Sequence, residues 1–342
     1  MFLTYWDAVS VGGHDLGDTH LGECKIKLQP DATPTRSKLR PLNPDQLADL
    51  RRQIREWTEA CVIEPSESPW SSALVPVRKK GTSQYRWAID FRALNQVTER
   101  DSFPLPSIEA NLQSLAGSSV FSCLDSAGAF HCINVSAESR PLTAFGTPLG
   151  LFQFRKMPFG VLNGPSIYSR TVLKALEHLP SHFWLVYLDD IIIHSKSTED
   201  HLEHLEKILD AHARAGMKLK LSKCLIAKKT VTYLGHQVSE DGITMTPEYV
   251  ERIRDWPKPT TPTQLRSFLG VVSYYRSFFP KFAELTAKLQ GIKNHPKLTW
   301  DKELDQDFQK IKEMFATAPL RHYPDFSKDG GRFILETDWS KD

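Results

Sequence analysis

Two adjacent carboxylates, Asp189 and Asp190, lie between two short runs of apolar, β-branched and aromatic residues at 183–188 and 191–193. Such runs predict the two strands of a hairpin, with the acidic pair at or beside its tight turn. Carboxylates held so close together repel each other, and burial would raise the pKa of at least one unless a cation binds there. A divalent cation such as Mg²⁺, which prefers hard oxygen ligands, would remove this repulsion. Taken alone, the pair is equally compatible with a solvated Asp-Asp turn.

A third carboxylate, Asp125, ends the apolar run at 119–124 and is followed by small residues. An acid at the end of a buried strand, next to small side chains, suits a ligand that comes close to the backbone. A lone Asp in such a place is also a common helix N-cap. If the strands pair, three carboxylates meet at one edge of a sheet, with no matching cation nearby in the sequence. That arrangement indicates a two-metal site suited to in-line phosphoryl transfer.

Two basic stretches could bind the phosphates of such a substrate. The turn at 78–81 joins a strand predicted over 71–78 to a returning strand over 85–91, and cations at its tip could clamp a polyphosphate. Considered alone, this stretch is more simply an ordinary solvated turn. The densest basic run follows Gly216 and would track a nucleic-acid backbone. It consists of Lys218, Lys220, Lys223, Lys228 and Lys229.

Helices and further strands must hold these residues in place. One helix is predicted to start at Asn43, with Pro44 and a capping-box Gln46. A second follows the loop at 157–165, and a third is capped by Ser197 or Thr198, points Leu202 inward and stops near Gly216. Others start at 261 and near 303. Residues 233–238 predict one short strand with a glycine inside it. The Pro-rich stretch 256–262 predicts a linker, and residues 1–40 predict an arm around a larger body.

Composition sets wide limits on function. A chain of 342 residues predicts two or three domains or subdomains. Its hydrophobic content of 40% and charged content of 25% are typical of a soluble globular protein. The net charge of +2 does not by itself require a nucleic-acid partner. Five scattered cysteines without CxxC spacing indicate neither a zinc site nor a disulfide framework. No signal peptide or membrane-spanning run is recognisable, so no membrane partner is expected.

Six motifs, taken in order, resemble those of the reverse transcriptase of a gypsy-type LTR retrotransposon and, more distantly, retroviral reverse transcriptase. They are Ser-Pro-Trp-Ser-Ser at 68–72, Arg86 with Ile-Asp-Phe-Arg-Ala-Leu-Asn at 89–95, Phe-Ser-Cys-Leu-Asp at 121–125, Met-Pro-Phe-Gly at 157–160 with Asn163 and Pro165, Tyr-Leu-Asp-Asp at 187–190, and Tyr-Leu-Gly-His at 233–236. The resemblance covers the chain from about residue 20 to its end.

The resemblance implies an α+β, right-hand polymerase fold of fingers, palm and thumb, with a connection region and the start of a truncated RNase H-like domain. We expect an N-terminal arm over 1–40, and fingers with the first part of the palm over 41–118. The palm would cover 119–240, with an interleaved fingers segment at about 137–160. Thumb and connection helices would cover 241–320. Residues 321–342 would form the first strand of the RNase H-like domain.

The resemblance also implies roles for single residues. Asp125, Asp189 and Asp190 would be the catalytic acids and would bind two Mg²⁺ ions, with Mn²⁺ able to substitute, and the carbonyl of Ser126 would complete one metal's shell. Lys223 would donate a proton to the pyrophosphate. The incoming deoxynucleotide would contact Lys79, Lys80, Arg86, Ala129, Phe130, Phe159 and Gly160.

Three further roles follow from the same resemblance. Phe130 stands at the family's aromatic position that blocks a ribose 2′-hydroxyl, which favours deoxynucleotides. The primer end would be held by Leu234, Gly235 and His236. Asp338 matches the first RNase H carboxylate.

Several positions depart from the family's pattern without removing a metal ligand. The residues after the first acid differ at Ser126, Gly128, Ala129, Phe130 and Cys132, the helix start reads Asn-Gly-Pro-Ser-Ile-Tyr-Ser at 163–169, and Leu142 replaces an expected lysine. These changes bear on nucleotide affinity, fidelity and sugar discrimination.

The expected function is an RNA- and DNA-templated DNA polymerase that extends a primer by two-metal-ion nucleotidyl transfer. Its partners would be an RNA template, a DNA primer or RNA–DNA hybrid, and dNTPs. RNase H activity is not expected, because the chain ends before the other acids of that domain. The alternative is a catalytically decayed or domesticated remnant that binds nucleic acid without copying it. An RNA-dependent RNA polymerase is a third option, which Phe130 argues against. A homodimer stays open, and a cytoplasmic virus-like particle or the nucleus is implied by the family alone.

Overall fold

The structure is a computed structural model of the chain, and it describes residues 4–12, 15–78, 81–82, 84–104, 106–317 and 320–323. Contacts divide the chain into two compact units. The first unit comprises Met1–Ile108 and Phe121–Lys228, and the second comprises Glu109–Val120 and Lys229–Asp342. No helix in the described ranges is long and apolar enough to cross a membrane.

Helices and strands follow each other in a mixed α and β order. The helices are α1 (Pro44–Glu59), α2 (Arg92–Gln96), α3 (Ile108–Ser114), α4 (Gly164–Leu176), α5 (Thr198–Arg214), α6 (Pro247–Arg254), α7 (Pro262–Tyr274), α8 (Phe282–Ile292) and α9 (Lys302–Ala316). The strands are β1 (Glu23–Cys24), β2 (Ile63–Pro65), β3 (Ser72–Arg78), β4 (Tyr85–Asp90), β5 (Val120–Asp125), β6 (Asn134–Val135), β7 (Phe145–Thr147), β8 (Gly150–Phe154), β9 (Trp184–Tyr187), β10 (Asp190–Ser195), β11 (Leu225–Lys228), β12 (Thr230–Tyr233), β13 (His236–Ser239) and β14 (Gly242–Met245).

The first unit contains a four-stranded sheet in the order β11-β5-β10-β9. Helix α5 packs on β10 and on α4, and α4 contacts β9. The apolar side of α5 buries Leu205, Ile208 and Leu209 against this layer, as its helical spacing predicts. Leu202, which was predicted to point inward, is instead 48% exposed. The predicted cap is confirmed, because the Ser197 hydroxyl accepts a hydrogen bond from the Asp200 amide.

A second sheet of the first unit has the order β2-β8-β7-β3-β4. Strands β3 and β4 form an antiparallel pair in which Arg78 lies opposite Tyr85. Helix α1 contacts β2 and β4, and the Trp57 ring lies 6.1–6.2 Å from two phenylalanine rings of β7 and β8. The predicted capping box of α1 is confirmed: Asn43 and Gln46 each accept a backbone N–H from the other.

The described part of the N-terminal segment packs against the first unit through backbone pairing. Strand β1 pairs in parallel with β6, and Val9 forms a parallel bridge with Leu219. Ala8 and Cys24 are fully buried. The segment therefore contributes to the core rather than lying loosely on the surface.

The second unit combines the antiparallel strands β12, β13 and β14 with helices α6 to α9. The stretch 256–262, predicted as a linker, connects α6 to α7 within this unit. The Trp256 ring lies 5.8 Å from the Phe268 ring, and its carbonyl accepts a hydrogen bond from Lys312 Nζ at 2.9 Å. These apolar and polar contacts fix the Pro-rich stretch against α7 and α9.

Three histidines with lowered pKa values make the stability of the first unit sensitive to acid. Burial, aided by neighbouring positive groups, lowers the pKa values of His131, His194 and His201 to about 4. Unfolded histidines titrate near pH 6.5, so between about pH 4 and 6.5 the unfolded chain binds more protons than the folded one. Stability should therefore fall as pH falls through this window, by about 1–2 kcal/mol per histidine between pH 7 and 5.

Urea unfolding at pH 7.5, 6.5 and 5.5 measures this effect. A His194→Gln variant should show a shallower dependence on pH, because it lacks one of the three groups. An equal slope for wild type and variant would contradict the assignment.

Candidate active site

The predicted hairpin is confirmed, with its turn placed one residue earlier than the acidic pair. Tyr187 pairs with Asp190 across the two strands, so the loop consists of Leu188 and Asp189. Leu188 has φ 57°, a left-handed conformation that is costly for a branched side chain. The turn places Asp189 at the tip and Asp190 at the first position of β10.

Asp125 is brought to the same sheet, because β5 lies beside β10. Burial, and then the charges of Asp189 and Asp125, raise the pKa of Asp190. Burial also raises the pKa of the neighbouring Cys123 thiol to about 12, with Asp190 as a further cause. The site thus carries negative charge that the protein compensates only in part.

One cation does reach the acids, although none is near them in sequence. Lys223 Nζ lies 3.2 Å from Asp125 Oδ2, and the two side chains are 58% and 38% exposed. An exposed pair of this kind contributes about 0–1 kcal/mol, so a divalent ion could displace the lysine. Lys223 is brought there because β11, which begins two residues later, pairs with β5.

The chemistry of the donors fits a divalent cation that prefers oxygen. Asp125, Asp189 and Asp190 supply carboxylate oxygens. In the part of the chain that is described, no three or more His, Cys, Asp or Glu side chains are already arranged as a metal site. The three aspartates therefore fit a divalent cation such as Mg²⁺ by their charge and by their oxygen donors.

The backbone on either side of Ser126 is held by two hydrogen bonds to the segment 218–220. The Asp125 carbonyl accepts a hydrogen bond from the Lys220 amide, and the Ala127 amide donates to the Lys218 carbonyl, both at 2.8 Å. This bridge uses the neighbours of Ser126 and leaves the Ser126 carbonyl outside the pairing, as a metal ligand requires. The buried Tyr168 hydroxyl donates to Ser126 Oγ at 2.6 Å.

Several of the residues predicted to contact a nucleotide come together in the first unit. The rings of Phe130 and Phe159 are stacked at 4.9 Å, and the Arg86 guanidinium lies 6.0 Å from the Phe159 ring. A cavity of about 350 Å³ is lined by Arg86, Phe159 and Gly160, among others. Ala129 is buried beside Phe130.

Asn95 has a structural role that the motif at 89–95 did not reveal. Its Nδ2 donates to the Gly160 carbonyl at 2.8 Å, and its Oδ1 accepts from the Leu162 amide at 2.9 Å. The side chain therefore fixes the loop that carries Phe159 and Gly160. Gly160 itself has φ 94°, which favours glycine. This role can be recognised only from the contacts that Asn95 makes with the loop in the folded chain.

The predicted primer-binding residues lie in the second unit and form a turn, not part of one strand. Leu234 and Gly235, with φ 47° and 72°, connect β12 to β13 in a two-residue hairpin. The prediction of one continuous strand is therefore wrong. Two tyrosine hydroxyls hold this turn: Tyr274 donates to the Leu234 carbonyl at 2.7 Å, and Tyr275 donates to the Gly235 carbonyl at 2.9 Å. The ring of His236, which follows the turn, stacks on the Phe278 ring.

Three of the predicted site residues cannot be placed. Lys79, Lys80 and Asp338 lie outside the described residues, as does most of the segment 321–342. Their roles stay predictions.

Comparison with known proteins finds a reverse transcriptase match over part of the chain. The family described as reverse transcriptase (RNA-dependent DNA polymerase) matches residues 77–238. The chain is 36% identical over 314 residues to the retrovirus-related Pol polyprotein from transposon 297 of Drosophila melanogaster, covering 90% of this chain and 29% of that protein. It is 31% identical to the transposon Tf2-3 polyprotein of Schizosaccharomyces pombe, covering 88% of this chain and 22% of that protein. The chain thus spans less than a third of these relatives.

Solved structures agree on the fold. The foamy viral protease-reverse transcriptase in complex with an RNA/DNA hybrid matches 94% of this chain and 44% of its own, with TM-score 0.82 and 22% identity. A second structure, of the foamy viral protease-reverse transcriptase dRH in complex with dsDNA, also matches. The match covers 95% of this chain and 57% of the foamy viral chain, with TM-score 0.85 and 22% identity. The predicted right-hand polymerase fold and the predicted resemblance are both confirmed. Residues 77–238 match the reverse transcriptase (RNA-dependent DNA polymerase) family, and Pol polyproteins of LTR retrotransposons are among the relatives of the chain.

Proposed function

We propose that this chain is a DNA polymerase that copies RNA and DNA templates by extending a primer. The observation that supports the proposal is the placement of Asp125, Asp189 and Asp190 on neighbouring strands of one sheet, where burial and the charges of Asp189 and Asp125 raise the pKa of Asp190. A protein tolerates such repulsion where a cation or a reaction uses it. The relatives' family supports nucleotidyl transfer as that reaction.

Asp125, Asp189 and Asp190 would hold two Mg²⁺ ions, with the Ser126 carbonyl as a further ligand. When bound, the ions would activate the primer hydroxyl and stabilise the leaving pyrophosphate. The chain's own part is to fix the acids on paired strands and to keep Lys223 beside them. Lys223, whose ammonium lies beside Asp125, would donate a proton to the departing pyrophosphate.

The incoming dNTP would bind where Arg86, Phe159 and Gly160 line one cavity. Arg86 can pair with phosphate oxygens, and Lys79 and Lys80 would add positive charge. Phe130 would meet the sugar and exclude a 2′-hydroxyl. Leu234, Gly235 and His236 would hold the primer strand.

The template and primer that we propose for this chain are taken from its structural neighbours. The foamy viral neighbours are solved with an RNA/DNA hybrid and with dsDNA, and we extend both ligands to this chain. We further assign the sheet β11-β5-β10-β9 to the palm and the sheet β2-β8-β7-β3-β4 to the fingers, which makes the first unit the template-copying body.

Primer extension tests the proposal directly. Oligo(dT) annealed to poly(rA), and a DNA primer on a DNA template, should both be extended with dNTPs and Mg²⁺, and EDTA should stop the reaction. Fluorescence anisotropy on the same duplexes measures binding separately. Folded protein that binds both duplexes but extends neither would overturn the proposal and favour a remnant that only binds nucleic acid.

A further inference from the structure

A buried histidine, His201 of α5, makes hydrogen bonds to two strands of the sheet that carries the acids. Its Nε2 lies 2.7 Å from Ser122 Oγ on β5, and its Nδ1 lies 2.8 Å from Ser195 Oγ at the end of β10. His201 is 0% exposed, and both serines are buried. One imidazole thus joins the strand that ends at Asp125 to the strand that begins at Asp190.

The contacts extend on both sides of His201 into a chain of hydrogen bonds. Ser122 Oγ also accepts the Ala227 amide of β11 at 2.9 Å, and Ser195 Oγ lies 2.9 Å from His204 Nδ1. The His204 ring in turn stacks on Phe183 at 4.0 Å. The chain therefore reaches β11, β5, β10 and α5.

If the hydrogen bonds all run in one direction along this chain, the hydroxyl hydrogens of both serines are used. Ser122 donates to His201 Nε2, His201 donates from Nδ1 to Ser195, and Ser195 donates to His204 Nδ1. This requires a neutral His201, and burial keeps it neutral at pH 7 by lowering its pKa to about 4. A buried polar group that is fully paired in this way specifies one arrangement of the strands.

The serines lie on the opposite face of the sheet from the acids. Side chains alternate along a strand, and Ser122 precedes Asp125 by three positions, whereas Ser195 follows Asp190 by five. Ser122 and Ser195 therefore face α5, and Asp125 and Asp190 point to the other side. His201 fixes the two strands from beneath without touching substrate or metal.

We propose that His201 is a positioning residue for the polymerase reaction, which holds β5 and β10 in the relative position that the catalytic acids need. This inference rests on the proposed function. Small displacements of reacting groups cost large factors in rate, so the effect should fall on turnover and metal affinity more than on nucleotide binding.

The test compares His201→Phe with His212→Phe in the full chain. His212 is a matched control: it lies on the same helix, is also 0% exposed, and makes its Nδ1 contact, at 2.9 Å, with the carbonyl of Ile208 on that helix. His201→Phe should lower kcat for dTTP about tenfold or more, with KM changed less than about twofold. His212→Phe should leave kcat within about twofold of wild type, whatever it costs in Tm.

Mn²⁺ binding gives a readout that needs no turnover. The electron paramagnetic resonance signal of free Mn²⁺ falls on binding, and His201→Phe should weaken Mn²⁺ several-fold while His212→Phe should not. Equal kcat and equal Mn²⁺ affinity in the two variants would overturn the proposal. If His201→Phe does not fold, Ser195→Ala replaces it, and unchanged kcat and Mn²⁺ affinity in Ser195→Ala would overturn it as well.

Failure of the proposed function can be distinguished from failure of the His201 proposal. Wild-type protein that extends no primer would count against the proposed function, and the Mn²⁺ comparison would then decide the role of His201 by itself. Weaker Mn²⁺ binding in His201→Phe alone would still support its positioning role.

Discussion

Asp189→Asn is expected to abolish primer extension, lowering kcat by about 10³-fold or more, because under the proposed function it removes a charged metal ligand where charge develops in the reaction. Asn has nearly the shape of Asp, so the two-residue turn at Leu188 and Asp189 should persist. The loss would therefore report on chemistry. Because the three acids repel one another, removing one charge should leave Tm unchanged or raise it.

Single-turnover extension on poly(rA)/oligo(dT), with Tm and duplex affinity measured in parallel, checks this result. Asp210→Asn is the control, since Asp210 lies on the same unit, pairs with Arg214 within α5 and is distant in sequence from the acids. It should extend primers like wild type. A tenth or more of wild-type activity in Asp189→Asn would contradict the assignment of Asp189 as a catalytic acid.

Local sequence rules predicted those elements whose signals are themselves local. The capping box at Asn43 and the cap at Ser197 each depend on groups within one helical turn, and both were correct. The hairpin at Leu188 was predictable from two apolar runs around a polar pair. The exposed Leu202 shows the limit, because a helix's apolar spacing does not say how wide a face its neighbours cover.

The turn at Leu234 and Gly235 was missed for a physical reason. Two-residue turns of this type need positive φ at both positions and are usually signalled by Asn-Gly or Asp-Gly. Leucine gives no such signal, and its left-handed conformation is held by the hydrogen bond that Tyr274 donates to its carbonyl. That tyrosine lies 40 positions away.

Local sequence was enough to predict that the acids lie at a hairpin turn and at a strand end, but it could not predict the contacts that support them. Lys223 meets Asp125 across 98 positions, Asn95 meets Gly160 across 65, and His201 meets Ser122 across 79. Each pair depends on which strands and loops become neighbours. Such pairings follow from the whole topology and from no local pattern.

Phe130→Ala is expected to reduce discrimination against ribonucleotides by about 10–10²-fold, the effect of about 1–3 kcal/mol of lost steric exclusion. The measurement is the ratio of kcat/KM for dTTP to that for UTP on poly(rA)/oligo(dT). Phe130→Tyr is the matched control, because it keeps the ring and should change the ratio less than about threefold. An unchanged ratio in Phe130→Ala would refute the assignment of Phe130 as the sugar barrier.

The size of this effect follows from how firmly the ring is held. Phe130 stacks on Phe159 at 4.9 Å and lies 5.7 Å from the buried Tyr168 ring. Behind it, even a Cβ added at Gly164 would lie 3.4 Å from the Phe130 ring, so the ring has little room to retreat from a 2′-hydroxyl. A rigid barrier acts on the ribose alone, and the gain in Phe130→Ala should therefore appear in kcat/KM for UTP, with kcat/KM for dTTP lowered much less than the ratio changes.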